Sequence, residues 1–323
     1  VPVMTSMAGK SAFPEDHKLA LGTRSGTTTD MVAHFLGEAD LVFGVGCSFT
    51  RIHYGADLFD KKVLVHCTND ETDINKDYSP DYAVIGDAKL VLAQLIEEVK
   101  RLLGSRTRRE EPDFTDEIQS MKKEWLRRWM PKLTSNEVPV NPYRVIWDLH
   151  NTIDRTRSVV THDSGSPRDQ TIPFFEAVTP RGFIAWGKST QLGYSLGLAM
   201  GAKMAAPDKL AVNIIGDYGF GMVAMDIETA VRNKIGILTI VFNNGVMAIE
   251  RGHMPYAIEK YDAMVQGGDY AKVAQALGSW GKRVEKVDDF LPSLQEAIEV
   301  TKSGSPALLD CIVKEGYDFS KYP

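Results

Sequence analysis

The sequence has little of what marks a secreted, nucleic-acid-binding or membrane protein. Its three cysteines, Cys47, Cys67 and Cys311, are scattered and odd in number, which argues against a disulfide frame or a zinc cluster. The formal net charge of −6 gives no basic field that would attract nucleic acid. No apolar run approaches the roughly 20 residues that span a bilayer, and the first residues lack a signal-peptide pattern. These absences predict a cytoplasmic protein without a nucleic-acid partner or a membrane anchor.

What the sequence does contain is two blocks in which short apolar runs alternate with helical patterns. In the first block, 40–46 and 62–66 predict strands and 89–103 predicts an amphipathic helix. The chain begins at Val1 rather than at Met, which we interpret as the mark of a fragment or a processed chain. A charged segment, 105–128, follows and predicts a surface helix that links the two blocks.

The second block opens with a helix at Asn141-Pro142. Its candidates for buried strands are 158–161, 210–215, 237–242 and 307–313. Continuous apolar strands that alternate with helices indicate parallel sheets covered on both faces. The sequence therefore predicts an α/β fold of two doubly wound, mainly parallel-sheet domains, one at 1–134 including the linker helix and one at 135–323.

Three glycines, Gly193, Gly197 and Gly201, recur at four-residue spacing in one helical segment. A membrane dimerisation face is one interpretation of such a stripe. The segment is short and carries Lys203, so we expect these glycines to pack closely on the sheet instead.

Polar residues of the second block lie where two predicted strands end. Asp217 follows the run 210–215, and Asn244 follows the run 237–242. If the two strands are neighbours, they lie about 4.8 Å apart, and ligands of open α/β sheets bind at this edge. A carboxylate and an amide carbonyl are hard oxygen donors that suit Mg²⁺ shared with phosphate groups. Gly-Asp or Asn-Asn alone is a common turn, so the prediction of a site depends on their combination.

The same residues resemble a known motif. Gly216-Asp217 and Asn243-Asn244 resemble the thiamin diphosphate motif, which opens with Gly-Asp-Gly and closes with Asn-Asn. The segments 9–17, 193–203, 269–274 and 281–286 resemble, in the same order, parts of acetolactate synthases. The chain is thus similar, over nearly its whole length, to the thiamin-diphosphate-dependent enzymes of the acetolactate-synthase-like family. The resemblance implies a Rossmann-like central domain, a thiamin-diphosphate-binding domain, and the cofactors thiamin diphosphate and Mg²⁺.

The resemblance also implies ligands for the metal and the diphosphate. Asp217, the side chain of Asn244 and the carbonyl of Val246 would hold Mg²⁺. The residues that would contact the cofactor's diphosphate end are Gly165, Ser166, Gly216, Tyr218, Gly219 and Asn244. In addition, we expect Gly219 and Gly221 to let backbone amides approach the phosphates.

Other implied roles concern the reactive end of the cofactor. Leu192 would hold the cofactor bent, and the carbonyl of Thr190 would meet its aminopyrimidine, so that the 4-amino group can take a proton from the thiazolium carbon. His253, in a loop beyond the asparagine pair, is a candidate for proton transfer to or from the substrate. His162 is a second candidate, although beside Asp163 it also fits a strand-end turn.

The chain departs from the acetolactate synthase pattern at several positions. Tyr218 replaces the third glycine of the motif, which places an aromatic ring near the diphosphate, and Pro167 stands where acetolactate synthases usually carry His. The segment 219–229 is closer to 2-hydroxyacyl-CoA lyases and oxalyl-CoA decarboxylases. The sequence therefore predicts an enzyme that makes or cleaves a carbon–carbon bond of a 2-oxo acid, with a lyase acting on an acyl-CoA as the alternative.

The first block carries half of a dinucleotide-binding fingerprint. Gly44-Val45-Gly46 follows a predicted strand, but Phe49 occupies the place of the third glycine. The resemblance implies FAD or a CoA-related ADP nucleotide in this domain, with four residues in loops that could face it: Arg24, Ser25, Asn69 and Asp70. The alternative is that the domain keeps the fold without the ligand.

The family carries a further, pyrimidine-binding domain whose glutamate activates the cofactor. No acidic residue of this chain can be assigned that role. We therefore expect the domain to come from a missing segment or from a separate chain, within a homo- or hetero-oligomer. A non-catalytic cofactor-binding subunit is the third hypothesis. The aromatic C-terminal segment 316–323 predicts either a lid over the site or a docked tail.

Overall fold

The computed structural model describes residues 1–51, 61–104, 113–184, 191–316 and 318–321. The strands of these ranges are β1 (Val3–Ser6), β2 (Ala20–Arg24), β3 (Leu41–Val45), β4 (Val63–Thr68), β5 (Tyr82–Ile85), β6 (Ser158–His162), β7 (Phe183–Ile184), β8 (Leu210–Gly216), β9 (Ile237–Asn243), β10 (Trp280–Val284) and β11 (Ala307–Ile312). The helices are α1 (Asp30–Glu38), α2 (Ala88–Leu103), α3 (Thr115–Leu133), α4 (Pro142–Thr152), α5 (Ser166–Phe174), α6 (Tyr194–Ala205), α7 (Asp217–Val223), α8 (Asp226–Arg232), α9 (Pro255–Tyr261), α10 (Tyr270–Ala276) and α11 (Val287–Lys302).

The first part of the chain forms two small parallel sheets. β1 pairs with β2, and β4 lies between β3 and β5. Helix α2 begins after Asp87, because that carboxylate accepts the otherwise unpaired amides of Lys89 and Leu90 at 3.0 and 3.1 Å. The predicted strands at 40–46 and 62–66 and the predicted helix at 89–103 are confirmed as β3, β4 and α2.

The second part forms a larger parallel sheet, whose described strands follow the order β10-β11-β9-β8-β6-β7. β8 and β9 are neighbours, with Gly216 opposite Phe242. The four predicted strands of this part are confirmed as β6, β8, β9 and β11. β10 and β7 were not predicted. The carboxyl ends of β8 and β9 therefore meet at one edge, as the candidate site requires.

Both faces of this sheet are covered by helices. Along β9, Leu238 and Ile240 join a core with α4, α5 and α11, whereas Ile237 and Val241 join a second core with α6, α8 and α10. This alternation follows from the two-residue period of a strand. Each of these aliphatic side chains contributes about 1.5–3 kcal/mol through burial. The fold is mixed α/β with mainly parallel sheets, as predicted.

Helix α3 is a surface helix, as its charges predict, but one side of it is buried. Trp125 is 3% exposed and stacks on Phe174 of α5, with ring centroids 4.8 Å apart and an interplanar angle of 7°. Ile118 and Leu133 are also buried. One side of α3 therefore packs against a helix that lies far away in the sequence, while most of its charged residues are exposed.

The glycine stripe of α6 is also corrected. Gly193 is buried, and a Cβ at this position would lie 2.7 Å from Cγ1 of Val223. Gly197 and Gly201 are exposed, and a Cβ at either would meet no described atom within 4 Å. The close packing expected at these two positions is therefore wrong. Among the described residues, no helix is both long and apolar enough to cross a membrane.

The two ends of the six-stranded unit meet. The amide of Val140 donates to the carbonyl of Ile312 at 3.0 Å, and the amide of Lys314 donates back to the carbonyl of Val140 at 2.9 Å. Beyond this point the tail docks on the first part of the chain. Ser320 donates to the carbonyl of Thr28 at 2.6 Å and accepts from the Trp125 indole at 3.1 Å. Of the two alternatives for the tail, a lid or a docked segment, residues 318–321 correspond to the docked segment.

Candidate functional site

Asp217 is the first residue after β8, and its carboxylate joins two segments. One oxygen accepts the amide of Tyr218 at 2.8 Å, and the other accepts the amide of Gly245, just beyond β9, at 2.7 Å. The residue is 3% exposed, and among the described residues no Lys or Arg forms an ion pair with it. Burial raises the pKa of this carboxyl from 3.8 to about 6, against the lowering by its backbone hydrogen bonds.

The two asparagines after Asp217 are held differently. Asn243, the last residue of β9, points its amide at the buried carboxylate of Asp310 on β11, at 2.9 Å. Asn244 is half-buried, and its side-chain oxygen accepts the amide of Val246 at 3.1 Å. Asn243 therefore anchors the strand end to its neighbour, while Asn244 belongs to the turn that bonds Asp217.

These groups fit a divalent cation. Asp217, Asn244 and the carbonyl of Val246 lie on two turns joined by the Asp217–Gly245 hydrogen bond. The Val246 carbonyl accepts the amide of Ala248 at 3.0 Å, which leaves its second lone pair. No group of three or more His, Cys, Asp or Glu side chains in the described ranges could hold a metal. The donor set is thus one carboxylate, one side-chain amide oxygen and one backbone carbonyl oxygen, all of them hard ligands. The carboxylate is buried, so a cation would supply its counter-charge.

The glycine-rich segment after Asp217 is a helix rather than the open turn predicted for it. Gly219 and Gly221 both lie in α7. A Cβ at Gly219 would lie 3.1 Å from a carboxylate oxygen of Asp163, and a Cβ at Gly221 would lie 2.4 Å from Nε2 of Gln266. Both glycines therefore have close neighbours, and a Cβ at Gly221 would displace the end of the Gln266 side chain.

The predicted diphosphate residues before α5 lie beside the same edge. Gly165 adopts φ +83°, which favours glycine, and Ser166 begins α5. A Cβ on Gly216 would lie 3.6 Å from Cγ of Pro167, so the start of α5 packs on the end of β8. The structure thus brings Gly165 and Ser166 close to Gly216. Pro167 has no amide hydrogen, so this helix start offers one donor fewer.

Leu192 is half-buried and precedes α6. Its neighbour Gly193 would place a Cβ 3.4 Å from the carbonyl oxygen of Gly219, so the residue after Leu192 packs against α7. Thr190, predicted to meet the aminopyrimidine, lies outside the described residues.

Tyr218, the departure from the glycine of the motif, is turned toward another segment. Its hydroxyl donates to the carbonyl of Ala263 at 3.3 Å. Gln266, from the same segment, donates to the carbonyl of Asp217 at 3.3 Å and to the hydroxyl of Tyr270 at 2.7 Å. These bonds hold the stretch after α9 against the Asp217 turn.

The two histidines predicted as candidates for proton transfer have different surroundings. The side chain of His253 is 66% exposed and pairs with Glu250 at 3.4 Å. His162 is fully buried at the end of β6, and its Nδ1 lies 3.0 Å from the carbonyl oxygen of Asp163. Burial lowers the pKa of His162 to about 4, so it is neutral at physiological pH, in keeping with the strand-end interpretation.

The glycine turn of the first part is held by contacts within the protein. A Cβ on Gly44 would lie 2.4 Å from the ring of Phe49, so this glycine makes room for the aromatic side chain. The amide of Gly46 donates to the carbonyl of Cys67 at 2.9 Å. These contacts account for both glycines without FAD or a CoA-related nucleotide.

The four other residues predicted for that nucleotide lie at the ends of β2 and β4. Ser25 is buried and donates to the carbonyl of Thr27 at 2.6 Å. Asp70 is exposed and caps a turn by accepting from Thr72 at 2.7 Å. Arg24 ends β2, and Asn69 is exposed after β4. The hydrogen bonds of Ser25 and Asp70 within their own turns account for the positions of both side chains without a ligand.

Sequence reasoning missed three residues that support the site: Asp163, Gln266 and Asp310. Asp163 follows β6, so the rule that selected Asp217 at a strand end applies to it equally. Asp310 lies inside an apolar strand, where an acidic residue signals a buried network. Gln266 carries no sequence signal of this kind.

Comparison with known proteins agrees with this geometry. Residues 163–311 match the family model described as "Thiamine pyrophosphate enzyme, C-terminal TPP binding domain". Residues 1–95 match "Thiamine pyrophosphate enzyme, central domain". The first match begins directly after β6 and contains β7 to β10 and all but the last residue of β11, together with Asp217 and both asparagines.

Several curated relatives align with nearly all of the chain. A probable acetolactate synthase large subunit of Methanococcus aeolicus is 26% identical over 100% of this chain and 55% of the relative. A 2-hydroxyacyl-CoA lyase of Arabidopsis thaliana is 28% identical over 97% and 55%. A glyoxylate carboligase of Escherichia coli O157:H7 is 26% identical over 92% and 52%. The chain spans about half the length of these relatives. It belongs to the thiamine pyrophosphate enzymes and carries their central and C-terminal domains.

Proposed function

We propose that this chain binds thiamin diphosphate through Mg²⁺ and serves a carbon–carbon bond-forming or -cleaving enzyme that acts on a 2-oxo acid. The observation that carries the proposal is the carboxylate of Asp217, which is buried without a cationic partner among the described residues. It is bonded to the turn that carries Asn244 and Val246. A divalent cation at these oxygens would supply the missing charge and a bridge to phosphate.

In this proposal the chain's own residues receive the cofactor from several sides. Gly165, Ser166, Gly216 and the backbone of Tyr218 and Gly219 receive the diphosphate. Leu192 supports the apolar part, and Thr190 is proposed to meet the aminopyrimidine. When bound, thiamin diphosphate supplies a carbon nucleophile and an electron sink for the substrate carbonyl. His253 remains a predicted proton-transfer residue.

We propose that the glutamate that activates the cofactor lies on a pyrimidine-binding domain outside this sequence, in the same polypeptide or a partner chain. The domain division at 1–134 and 135–323 and an oligomeric assembly belong to the same proposal. If no such glutamate is present in the assembly, the remaining hypothesis is a non-catalytic cofactor-binding subunit.

A second candidate function is cleavage or formation of a 2-hydroxyacyl-CoA. It is favoured by the segment 219–229 and by the relative named 2-hydroxyacyl-CoA lyase. Turnover of pyruvate compared with turnover of 2-hydroxyacyl-CoA thioesters separates the two functions, because the substrates differ in the acyl carrier.

Calorimetric titration with thiamin diphosphate tests the cofactor proposal. We expect binding in the presence of Mg²⁺, and little binding in EDTA or with Asp217→Ala. Asp226→Ala is the matched control, since Asp226 is an exposed acidic residue of the next helix. Binding by Asp217→Ala that equals binding by Asp226→Ala would contradict the metal assignment.

A further inference from the structure

Asp163 is a buried carboxylate that the proposed metal site does not use. It follows β6 directly and is 0% exposed. No Lys or Arg of the described residues forms an ion pair with it. A buried carboxylate without a cation is unfavourable unless hydrogen-bond donors surround it, so its contacts indicate what it holds in place.

The donors come from two segments. One oxygen accepts the amide of Ser164 at 2.6 Å. The other accepts the amide of Gly193 at 2.8 Å and the hydroxyl of Ser195 at 2.8 Å. Gly193 and Ser195 form the start of α6, a helix of 12 residues whose positive end favours an anion. Asp163 therefore fixes the first turn of α6 and, with it, the adjacent Leu192.

The oxygen of Asp163 that bonds the start of α6 also lies close to α7. A Cβ at Gly219 would lie 3.1 Å from the carboxylate carbon and from one of its oxygens. A Cβ at Gly193 would lie 3.4 Å from the carbonyl oxygen of Gly219. Asp163 thus lies between the start of α6 and α7: it bonds the amide of Gly193 and leaves little room for a Cβ at Gly219.

We propose that Asp163 is a positioning residue that sets the distance between Leu192 and the Gly219 end of the site. The inference rests on the proposed function, in which these two parts receive opposite ends of one cofactor. A fixed distance prepares both parts before binding, so that the cofactor does not have to order α6 and α7 itself. Asp163 acts through Gly193 and Gly219 and does not touch the cofactor.

Two probes separate positioning from simple stability. Inorganic pyrophosphate with Mg²⁺ occupies only the diphosphate end, whereas thiamin diphosphate requires both ends at the right distance. Asp163→Asn keeps the size of the side chain but replaces an acceptor by a donor opposite amide hydrogens. We expect its thiamin diphosphate Kd to rise at least ~10-fold, which corresponds to about 1.4 kcal/mol. The pyrophosphate Kd should stay equal or fall, because a buried negative charge near the anion is removed.

Glu15→Gln is the matched control. Glu15 is also buried, and it accepts from Lys10, Thr23 and the amide of Ala177 at 2.5, 3.0 and 2.7 Å. It lies away from α6 and α7, so its loss should reduce the unfolding temperature without changing either Kd. If Asp163→Asn does not fold, Ser195→Ala removes one of the bonds and keeps the charge. We expect this milder variant to raise the thiamin diphosphate Kd ~3-fold. This change corresponds to about 0.7 kcal/mol, the size of one neutral hydrogen bond.

The outcomes are distinct. Weaker thiamin diphosphate binding with unchanged or tighter pyrophosphate binding supports the inference. Equal weakening of both ligands, or no weakening of thiamin diphosphate binding in either variant, overturns it and leaves the proposed function intact. A wild-type chain that binds pyrophosphate and thiamin diphosphate with the same affinity also overturns it. Absence of binding by the wild-type chain overturns the proposed function and the inference together.

Discussion

Asp217→Asn should stabilise the metal-free protein at neutral pH and destabilise it relative to the wild type once Mg²⁺ and the cofactor are present. The folded pKa of Asp217 is raised to about 6 from 3.8 by burial. The folded state therefore binds the proton more tightly than the unfolded state, and stability falls as pH rises from about 4 to about 6. A shift of this size corresponds to about 3 kcal/mol of unfavourable free energy above pH 6.

The variant removes the charge but places an amide nitrogen opposite one of the two backbone donors. The lost hydrogen bond costs about 1 kcal/mol, so the net gain in unfolding free energy at pH 8 in EDTA is about 1–2 kcal/mol. Below pH 4 the wild-type carboxyl is protonated and the gain should disappear. Ligand at 100 times its Kd adds about 2.7 kcal/mol to the wild type and little to the variant, which reverses the order.

Chemical denaturation at several pH values between 4 and 8, in EDTA and again with Mg²⁺ and thiamin diphosphate, measures both effects. The exposed Asp226→Asn variant is the control and should follow the wild type throughout. An Asp217→Asn protein that is less stable than the wild type in EDTA at pH 8 would show that the buried carboxylate is already compensated. The argument for a cation at this position would then be refuted.

Two further predictions concern the core. Trp125→Ala should lower the unfolding free energy by about 3–5 kcal/mol, measured by denaturant titration, because it removes a 3% exposed ring stacked on Phe174. A loss below ~1 kcal/mol would mean that this side of α3 does not pack on α5. His162, fully buried with a pKa of about 4, is neutral in the folded protein, so its contribution is present above pH 6.5 and is lost as pH falls toward 4. His162→Gln should flatten the slope of unfolding free energy against pH in this interval, whereas an unchanged slope would mean that the histidine is not held neutral.

Part of the fold could be predicted because it depends on local patterns. The buried strands β6, β8, β9 and β11 are continuous apolar runs, and their predicted bounds agree within two residues. β10 was missed because Trp280–Val284 includes Lys282 and Arg283 at an edge of the sheet, where a strand needs little apolar content.

Other features depend on tertiary contacts that a sequence does not reveal. The indole of Trp125 is buried by a helix about 50 positions further along the chain, a separation that no local pattern encodes. The spacing of Gly193, Gly197 and Gly201 is the same throughout, but only Gly193 packs closely. Helical phase relative to the sheet decides which side is buried, and here Leu196 and Ala199 occupy it.

The candidate site shows the same division. Asp217 and Asn244 could be predicted as neighbours because parallel strands end at one edge, and the structure joins their turns by the bond to Gly245. The hydrogen bond from the Asn243 side chain to the Asp310 carboxylate could not be predicted, since it requires the register of β9 against β11. Asp163 and Gln266 likewise act across segments that only folding brings together.

The hydrogen bonds between Val140 and the residues after β11 have a consequence for how this unit could be joined to others. A chain segment that enters and leaves a fold at adjacent points can be inserted into, or detached from, a longer polypeptide without altering its internal strand order. The sheet that carries Asp217 and Asn244 closes in this way at Val140 and Lys314. The segments before Val140 and after Lys314 therefore leave the unit side by side, so the order of its strands does not depend on them, although its core also packs on residues of the first part.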